Sequence, residues 1–127
     1  FYVSPLQMAL ASAAISNGGV IPAPRVAVAV NTPNDGWVVL PAERNPIEAS
    51  QPSDTAEAVL SFMESGDNYW SHIGQAKDDE TSVTWFIGGT PPNWQASPLA
   101  IVVLLEENNP REARRIGVEL LNDVMNP

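Results

Sequence analysis

Leu99-Ala100-Ile101-Val102-Val103-Leu104-Leu105 is an unbroken apolar run, closed by the polar Glu106-Glu107-Asn108-Asn109 and then Pro110. A run this short, rich in branched residues and apolar at every position, reads as a strand. With no polar side to turn to water, it belongs at the centre of a sheet covered on both faces. Working backwards, Val83-Thr84-Trp85-Phe86-Ile87 within Ser82 to Gly88 is a second strand, broken by Gly88-Gly89-Thr90-Pro91-Pro92. Tyr69 to Ala76 is a third, separated from the second by the polar tip Lys77-Asp78-Asp79-Glu80. Short turns between successive strands predict an antiparallel meander. Working forwards, Asn109-Pro110-Arg111-Glu112 opens a helix with an Asn cap, Pro at the first position and Glu at the capping-box position. Ala113, Ile116, Gly117, Leu120, Leu121 and Val124 give it one apolar face, with Ile116, Leu120 and Leu121 expected to pack on the sheet.

The first half adds two helices and a hairpin. Ser4-Pro5-Leu6-Gln7 carries a capping box with Pro at the first helical position, and Asn17-Gly18-Gly19 stops that helix. The Ala-rich stretch between them implies close approach to another element. Arg25 to Val30 and Trp37 to Leu40 read as strands joined by the turn signal Asn31-Thr32-Pro33-Asn34-Asp35-Gly36. Pro41 to Pro52 reads as an irregular loop. Asp54-Thr55-Ala56-Glu57 starts a helix ending at Gly66, with Ala56, Val59, Leu60 and Met63 on one stripe. The fold class is therefore α+β: a three-stranded antiparallel sheet plus a hairpin, with packed helices.

At 127 residues the chain is one domain's worth, and its composition, 44% hydrophobic and 17% charged, is globular. Six Lys and Arg stand against 15 Asp and Glu, for a net charge of -9. That balance argues against nucleic acid and anionic membrane surfaces as partners. There is no Cys, one His and one Lys, so Cys chemistry is excluded and neither a metal nor any other cofactor is expected. The opening Phe1-Tyr2-Val3-Ser4-Pro5 has no initiator Met or leader and reads as mid-chain sequence, which makes this a fragment of something longer.

Three stretches together resemble the C-terminal portion of the penicillin-binding proteins, the serine D,D-transpeptidases that cross-link peptidoglycan. Ser4-Pro5-Leu6-Gln7-Met8-Ala9 with Ser16-Asn17-Gly18-Gly19 is similar to the helix between that family's second and third motifs. Trp85-Phe86-Ile87-Gly88 is similar to the strand after the third motif. Ile101-Val102-Val103-Leu104-Leu105-Glu106 and the final helix are similar to its last strand and closing helix. The resemblance covers nearly the whole chain and implies that residues 1–127 are the C-terminal subdomain of a transpeptidase-like domain. Its parent would work at the extracytoplasmic face of the bacterial cytoplasmic membrane, on a peptidoglycan stem peptide or a β-lactam.

That chemistry needs S-x-x-K, S-x-N and K-T-G motifs. The only Lys, Lys77, follows Gly74 by three positions, so S-x-x-K is absent; no Ser-x-Asn occurs either. The resemblance implies that both lie upstream of Phe1, so no residue of this chain is expected to be catalytic. K-T-G aligns with His72-Ile73-Gly74, followed by Gln75-Ala76. His72, Gly74 and Gln75 are thus the candidate substrate-binding residues: Gly74 lets a ligand lie against the strand and Gln75 can donate a hydrogen bond. The loss of the Lys equally suits a non-catalytic scaffold of the cell envelope, and an unrelated acidic interaction domain remains a third reading.

The other chemistry-bearing residues have plainer explanations. Lys77 with its acidic neighbours reads as a solvated hairpin tip, and Glu106-Glu107 would point to opposite faces of a strand. Arg111, Arg114 and Arg115 beside Glu112 and Glu119 read as a solvated helix face. Trp37, Trp70, Trp85 and Trp94 share no spacing, and Trp85 is expected in the core. Finally, the resemblance implies that the Leu99 to Glu106 strand lies mid-sheet, with its outer neighbour drawn from the sequence before Phe1; in this chain alone it would show an unpaired apolar edge, a template for another chain, so a homodimer through that edge is expected.

Overall fold

The structure is a computed structural model, describing residues 3–25, 27–41, 47–48, 52–65 and 68–126. Its elements in order are α1 (Pro5–Ser16), β1 (Val20–Ile21), β2 (Ala29–Thr32), β3 (Gly36–Val39), β4 (Ile47–Glu48), α2 (Pro52–Leu60), β5 (Glu64–Ser65), β6 (Trp70–Lys77), β7 (Ser82–Gly89), β8 (Ala100–Leu105) and α3 (Pro110–Met125). This is an α+β fold. Its main sheet is antiparallel in the order β5-β6-β7-β8, the short β5 adding a fourth strand to the three expected.

The register is continuous. Gly74 lies opposite Trp85 and Ile73 opposite Phe86, while Phe86 lies opposite Val103 and Ile87 opposite Val102. Strand alternation therefore puts His72, Gly74, Trp85, Ile87 and Val102 on one face and Ile73, Phe86 and Val103 on the other. On the second face α3 buries Phe86 beneath Ala113 and Leu121, the centre of the core. Full burial of Phe86 and Leu121 contributes roughly 1.5–3 kcal/mol each. The contact stripe of α3 is Ala113, Gly117 and Leu121, narrower than the sequence suggests. Ile116 is only half-buried, and Leu120, at 45% exposed, and Val124 turn to solvent.

The first face carries α1, whose Ser16 hydroxyl accepts a hydrogen bond from the buried Trp70 indole at 3.1 Å; the same N–H lies 3.0 Å from the Thr90 carbonyl. Gly89 lets the helix come this close, because a Cβ there would collide with Ser16 Oγ and the Leu99 carbonyl. The start of α1 is the expected capping box, Gln7 N–H donating to Ser4 Oγ and Ser4 N–H to Gln7 Oε1. Its end is a left-handed cap: Gly18 has φ 62°, Gly18 N–H donates to the Ile15 carbonyl, and Gly19 N–H to that of Ala14.

Several boundaries differ from the sequence reading. The β2–β3 hairpin is shifted into the expected turn: Asn31 pairs with Trp37 and Thr32 with Gly36, so the turn is only Pro33 to Asp35. Gly36, at φ 67°, makes that tight reversal, and Thr32 Oγ1 accepts from Asp35 N–H. The Pro41 to Pro52 stretch contains β4, which pairs with β1; residues 42–46 and 49–51 lie outside the described residues, as does Gly66. The helix α2 begins at Pro52, so Asp54 sits in its first turn rather than capping it. Ala56 is buried, but Met63 lies beyond the helix end. At α3 the Asn109 side chain accepts from Glu112 N–H as expected. The Glu112 carboxylate, however, pairs forward with Arg115, and Asn109 N–H donates to Thr84 Oγ1.

Among the described residues β8 is an edge strand, paired only with β7, the unpaired edge expected of this chain taken alone. Its apolar composition has a cause within the chain. With α1 over one face and α3 over the other, side chains on both faces of β8 meet a helix, wherever in the sheet the strand lies.

Candidate functional site

β5 pairs with β6 only at Trp70 and Ser71. From His72 to Lys77 the outer edge of β6 has no strand beside it among the described residues. The hairpin fixes which main-chain groups are turned that way. Asp78 N–H donates to the Thr81 carbonyl, so alternation directs the N–H and C=O of Gly74 and Ala76 to β7 and those of Ile73 and Gln75 outward.

Beside this edge, on the α1 face, runs an apolar groove of about 460 Å³. Val3 and Met8, at the start of α1, form one wall; Trp85, Ile87 and Leu104 form much of the floor. His72, Gly74, Gln75 and Ala76 line the β6 side. Gly74 keeps that side low. A Cβ there would sit 4.0 Å from the Trp85 Cβ, an ordinary contact, so the missing side chain is space over the groove rather than a packing need.

His72 is exposed, Gly74 half-buried and Gln75 exposed. His72 and Gly74 share the groove face. Gln75 borders the groove, but alternation puts its side chain on the α3 side, where its Nε2 donates to Asn108 Oδ1. The hydrogen bond expected from its side chain is therefore already made within the chain, and what Gln75 offers outward is its backbone. Sequence reasoning missed this because register against the β7–β8 layer, not residue type, decides it. It also missed Val3 and Met8, which reach the groove only through the placement of α1.

Among the described residues His72 is the sole titratable side chain lining the groove, and no Lys or Arg lines it. The arrangement can therefore accept an extended, largely apolar segment but supplies no fixed cation for a carboxylate. Among the described residues no three His, Asp or Glu side chains gather to hold a metal ion. No described helix is long and apolar enough to cross a membrane.

Several charged groups away from the groove make structural contacts. Asp78 Oδ1 accepts from the N–H groups of Glu80 and Thr81 and from the Thr81 hydroxyl, which holds its carboxyl below the usual range and rigidifies the hairpin tip. Arg115 bridges Glu112 and Glu119 along α3. Arg114 reaches across to Glu64 on β5, whose carboxyl is lowered chiefly by that hydrogen bond. Of the tryptophans, Trp70 is the core residue at 1% exposed, Trp85 is half-buried at the groove, and Trp37 is 73% exposed on the hairpin.

No protein-family model matches the chain, and no curated protein or solved structure matches it either.

Proposed function

We propose that this chain is the peptide-binding sheet portion of a penicillin-binding, D,D-transpeptidase-like protein of the bacterial cell envelope, with the nucleophile supplied from outside these residues. The observation that carries the reading is the open edge of β6. Ile73 and Gln75 turn main-chain donors and acceptors outward, beside Gly74 and an apolar groove, at the position where the sequence resembles the family's third motif. An extended peptide can add there as a further strand, the N–H of Gln75 meeting a peptide carbonyl and side chains lying over Trp85 and Gly74. The order of α1, β6, β7, β8 and α3 along the chain supports the same reading. By that resemblance the parent acts at the outer face of the cytoplasmic membrane, on peptidoglycan stem peptides.

A second reading is favoured by one specific feature. His72-Ile73-Gly74 provides neither the Lys nor the hydroxyl of the resembled motif, and among the described residues no Lys or Arg lines the groove. A non-catalytic envelope scaffold using the same edge for a protein segment needs neither. Titrating the labelled chain with a stem-type peptide ending in two D-alanines, and with its all-L counterpart, separates the two. The transpeptidase-like reading expects amide shifts at Ile73, Gly74 and Gln75 for the D-form in preference to the L-form. Equal response to both forms favours the scaffold; no shift at these amides with either peptide overturns the peptide-binding site.

A further inference from the structure

Trp94 and Trp70 lie at the same end of the sheet but are held differently. Trp70 is buried, and its indole N–H lies within hydrogen-bond distance of Ser16 Oγ and the Thr90 carbonyl. Trp94 is half-buried, and its indole N–H has no hydrogen-bond partner among the described residues. A tryptophan that serves packing alone normally buries its ring and satisfies that donor, as Trp70 does.

The loop that carries Trp94, residues 91–98 between β7 and β8, has a rigid base. Thr90 is fully buried; its N–H donates to the Leu99 carbonyl, and its hydroxyl accepts from Leu99 N–H. Its carbonyl accepts from Trp70, so the loop base is tied to β6 as well as to β8. Trp94 N–H closes a turn by donating to the Pro91 carbonyl at 3.0 Å, with Pro92 at the second position, where its fixed φ suits the turn.

Trp94 lines a pocket of about 440 Å³ with Pro91, Asn93, Gln95 and Ala96 of the same loop and Asn68 from the segment before β6. That size is ordinary for a small-ligand cleft. The bond from Trp70, two residues after Asn68, to Thr90 fixes the two walls relative to each other. No lining residue is charged, on a chain of net charge -9. The polar groups are three carboxamides. Those of Asn68 and Asn93 have no hydrogen-bond partner among the described residues, and Gln95 Nε2 donates to the Asn93 carbonyl, leaving its Oε1 to accept. Each carboxamide can donate and accept.

We propose that this pocket binds a neutral saccharide, with a pyranose ring over the Trp94 indole. The C–H face of a pyranose is apolar and lies on an aromatic ring, while the hydroxyls at its rim each need a donor and an acceptor. One aromatic surface bordered by carboxamides supplies both. The lack of lining charge disfavours uronates and phosphates, which need a cation, and amines, which need an anion. A proline-rich peptide would use the indole but offers mainly carbonyls, leaving the carboxamide oxygens without donors. The pocket shares no lining residue with the groove beside β6, so each reading can fail without the other.

Titrating the labelled 127-residue chain with two neutral tetrasaccharides, one of glucose and one of N-acetylglucosamine, tests this, at concentrations up to about 10 mM. Shifts of the Trp94 indole N–H and of the Asn68 and Gln95 side-chain amides with at least one of them are expected. No shift with either overturns the proposal; so does an equal or larger response to a tetragalacturonate or to a proline-rich peptide. Trp94→Ala should weaken binding at least about tenfold, and Trp94→Phe, which keeps a ring, should weaken it less. The Trp70 indole signal reports whether the loop base is intact in each variant. Where Trp94→Ala disturbs it, Asn68→Ala, which removes an exposed side chain without a partner, takes its place; unchanged saccharide binding by a folded Asn68→Ala together with Trp94→Phe overturns the proposal.

Discussion

Phe86 lies flat against the backbone of Gly117: a Cβ at position 117 would overlap the Cδ1 and Cε1 atoms of the Phe86 ring. Glycine in mid-helix ordinarily costs about 1 kcal/mol relative to alanine. Here it lets α3 settle onto β7 at the place where the buried Phe86 ring needs room. Gly117→Ala should therefore destabilise the protein by about 1–3 kcal/mol, the range for overpacking a core, despite the better helix former. Chemical denaturation measures it. Adding Phe86→Leu to Gly117→Ala should recover part of the loss, since the smaller side chain leaves the helix its contact.

The two buried serines of α1 should respond oppositely to removal of their hydroxyls. Ser16 Oγ accepts from the Trp70 indole, so Ser16→Ala is expected to cost about 0.5–1.5 kcal/mol. Ser12 Oγ is equally buried but has no hydrogen-bond partner among the described residues. Ser12→Ala removes a buried polar group that gains nothing, and should leave stability unchanged or raise it. Melting both variants alongside Trp70→Phe, which withdraws the donor from Ser16 and Thr90 together, gives the comparison. Trp70→Phe should be the most damaging of the three.

Acid should weaken the tie between α3 and the short β5. The Glu64 carboxyl is lowered from its ordinary 4.5, chiefly by its hydrogen bond with Arg114; desolvation opposes this, and the charges of Arg114 and His72 lower it further. A carboxyl whose folded value is depressed contributes stability that is complete above its unfolded value and lost as pH falls through the folded one. The stability difference between the unaltered chain and Arg114→Gln should thus be present at neutral pH and vanish below the carboxylate range. Both partners are largely exposed, so the effect is of the small size typical of surface ion pairs. A difference that persists unchanged at acid pH would show that Arg114 acts through packing against Tyr69 instead.

The local signals in the sequence carried far, and where they stopped has a physical cause. Caps are encoded by adjacent residues, so Ser4, Gln7, Gly18 and Asn109 could be read from their spacing alone. Strand existence followed from periodicity, and the meander from short turns. The all-apolar run of β8 was legible as a strand covered on both faces, but it reports helices on those faces as readily as neighbours on both sides, so the open outer edge of this chain was expected from the resemblance and not from the run itself. The β2–β3 turn was misread because Asn31 and Thr32 are turn-formers by type but are held in the ladder opposite Trp37 and Gly36. Of the candidate site, Gly74 and His72 were expected at a groove from the resemblance to the family's third motif, and both line one. The role of Gln75 was not, since the parity of the register sends its amide to Asn108 and leaves only its backbone at the edge.

That parity makes the proposed peptide-binding edge testable by single substitutions. Gly74→Ala should fold normally, because its new Cβ meets only the Trp85 Cβ at an ordinary distance. Gly74→Val raises the groove's side further and should weaken a bound D-alanyl-D-alanine peptide by about tenfold if side chains lie over this position. Gln75→Pro is the sharper change. Its N–H points away from β7, so the ladder to Thr84 and Trp85 is kept, and proline is tolerated at such an edge position. The peptide loses the one donor aimed at its carbonyl, and the ring intrudes where a new strand would run. Binding followed by amide shifts at Ile73 and Gly74 should disappear in Gln75→Pro while the Trp85 indole signal keeps its native position. Gln75→Ala removes only the side chain that Asn108 already occupies, and should bind as the unaltered chain does. Full binding by Gln75→Pro, or loss of binding by Gln75→Ala in a folded protein, would show that the ligand reads the side chain and not the strand edge.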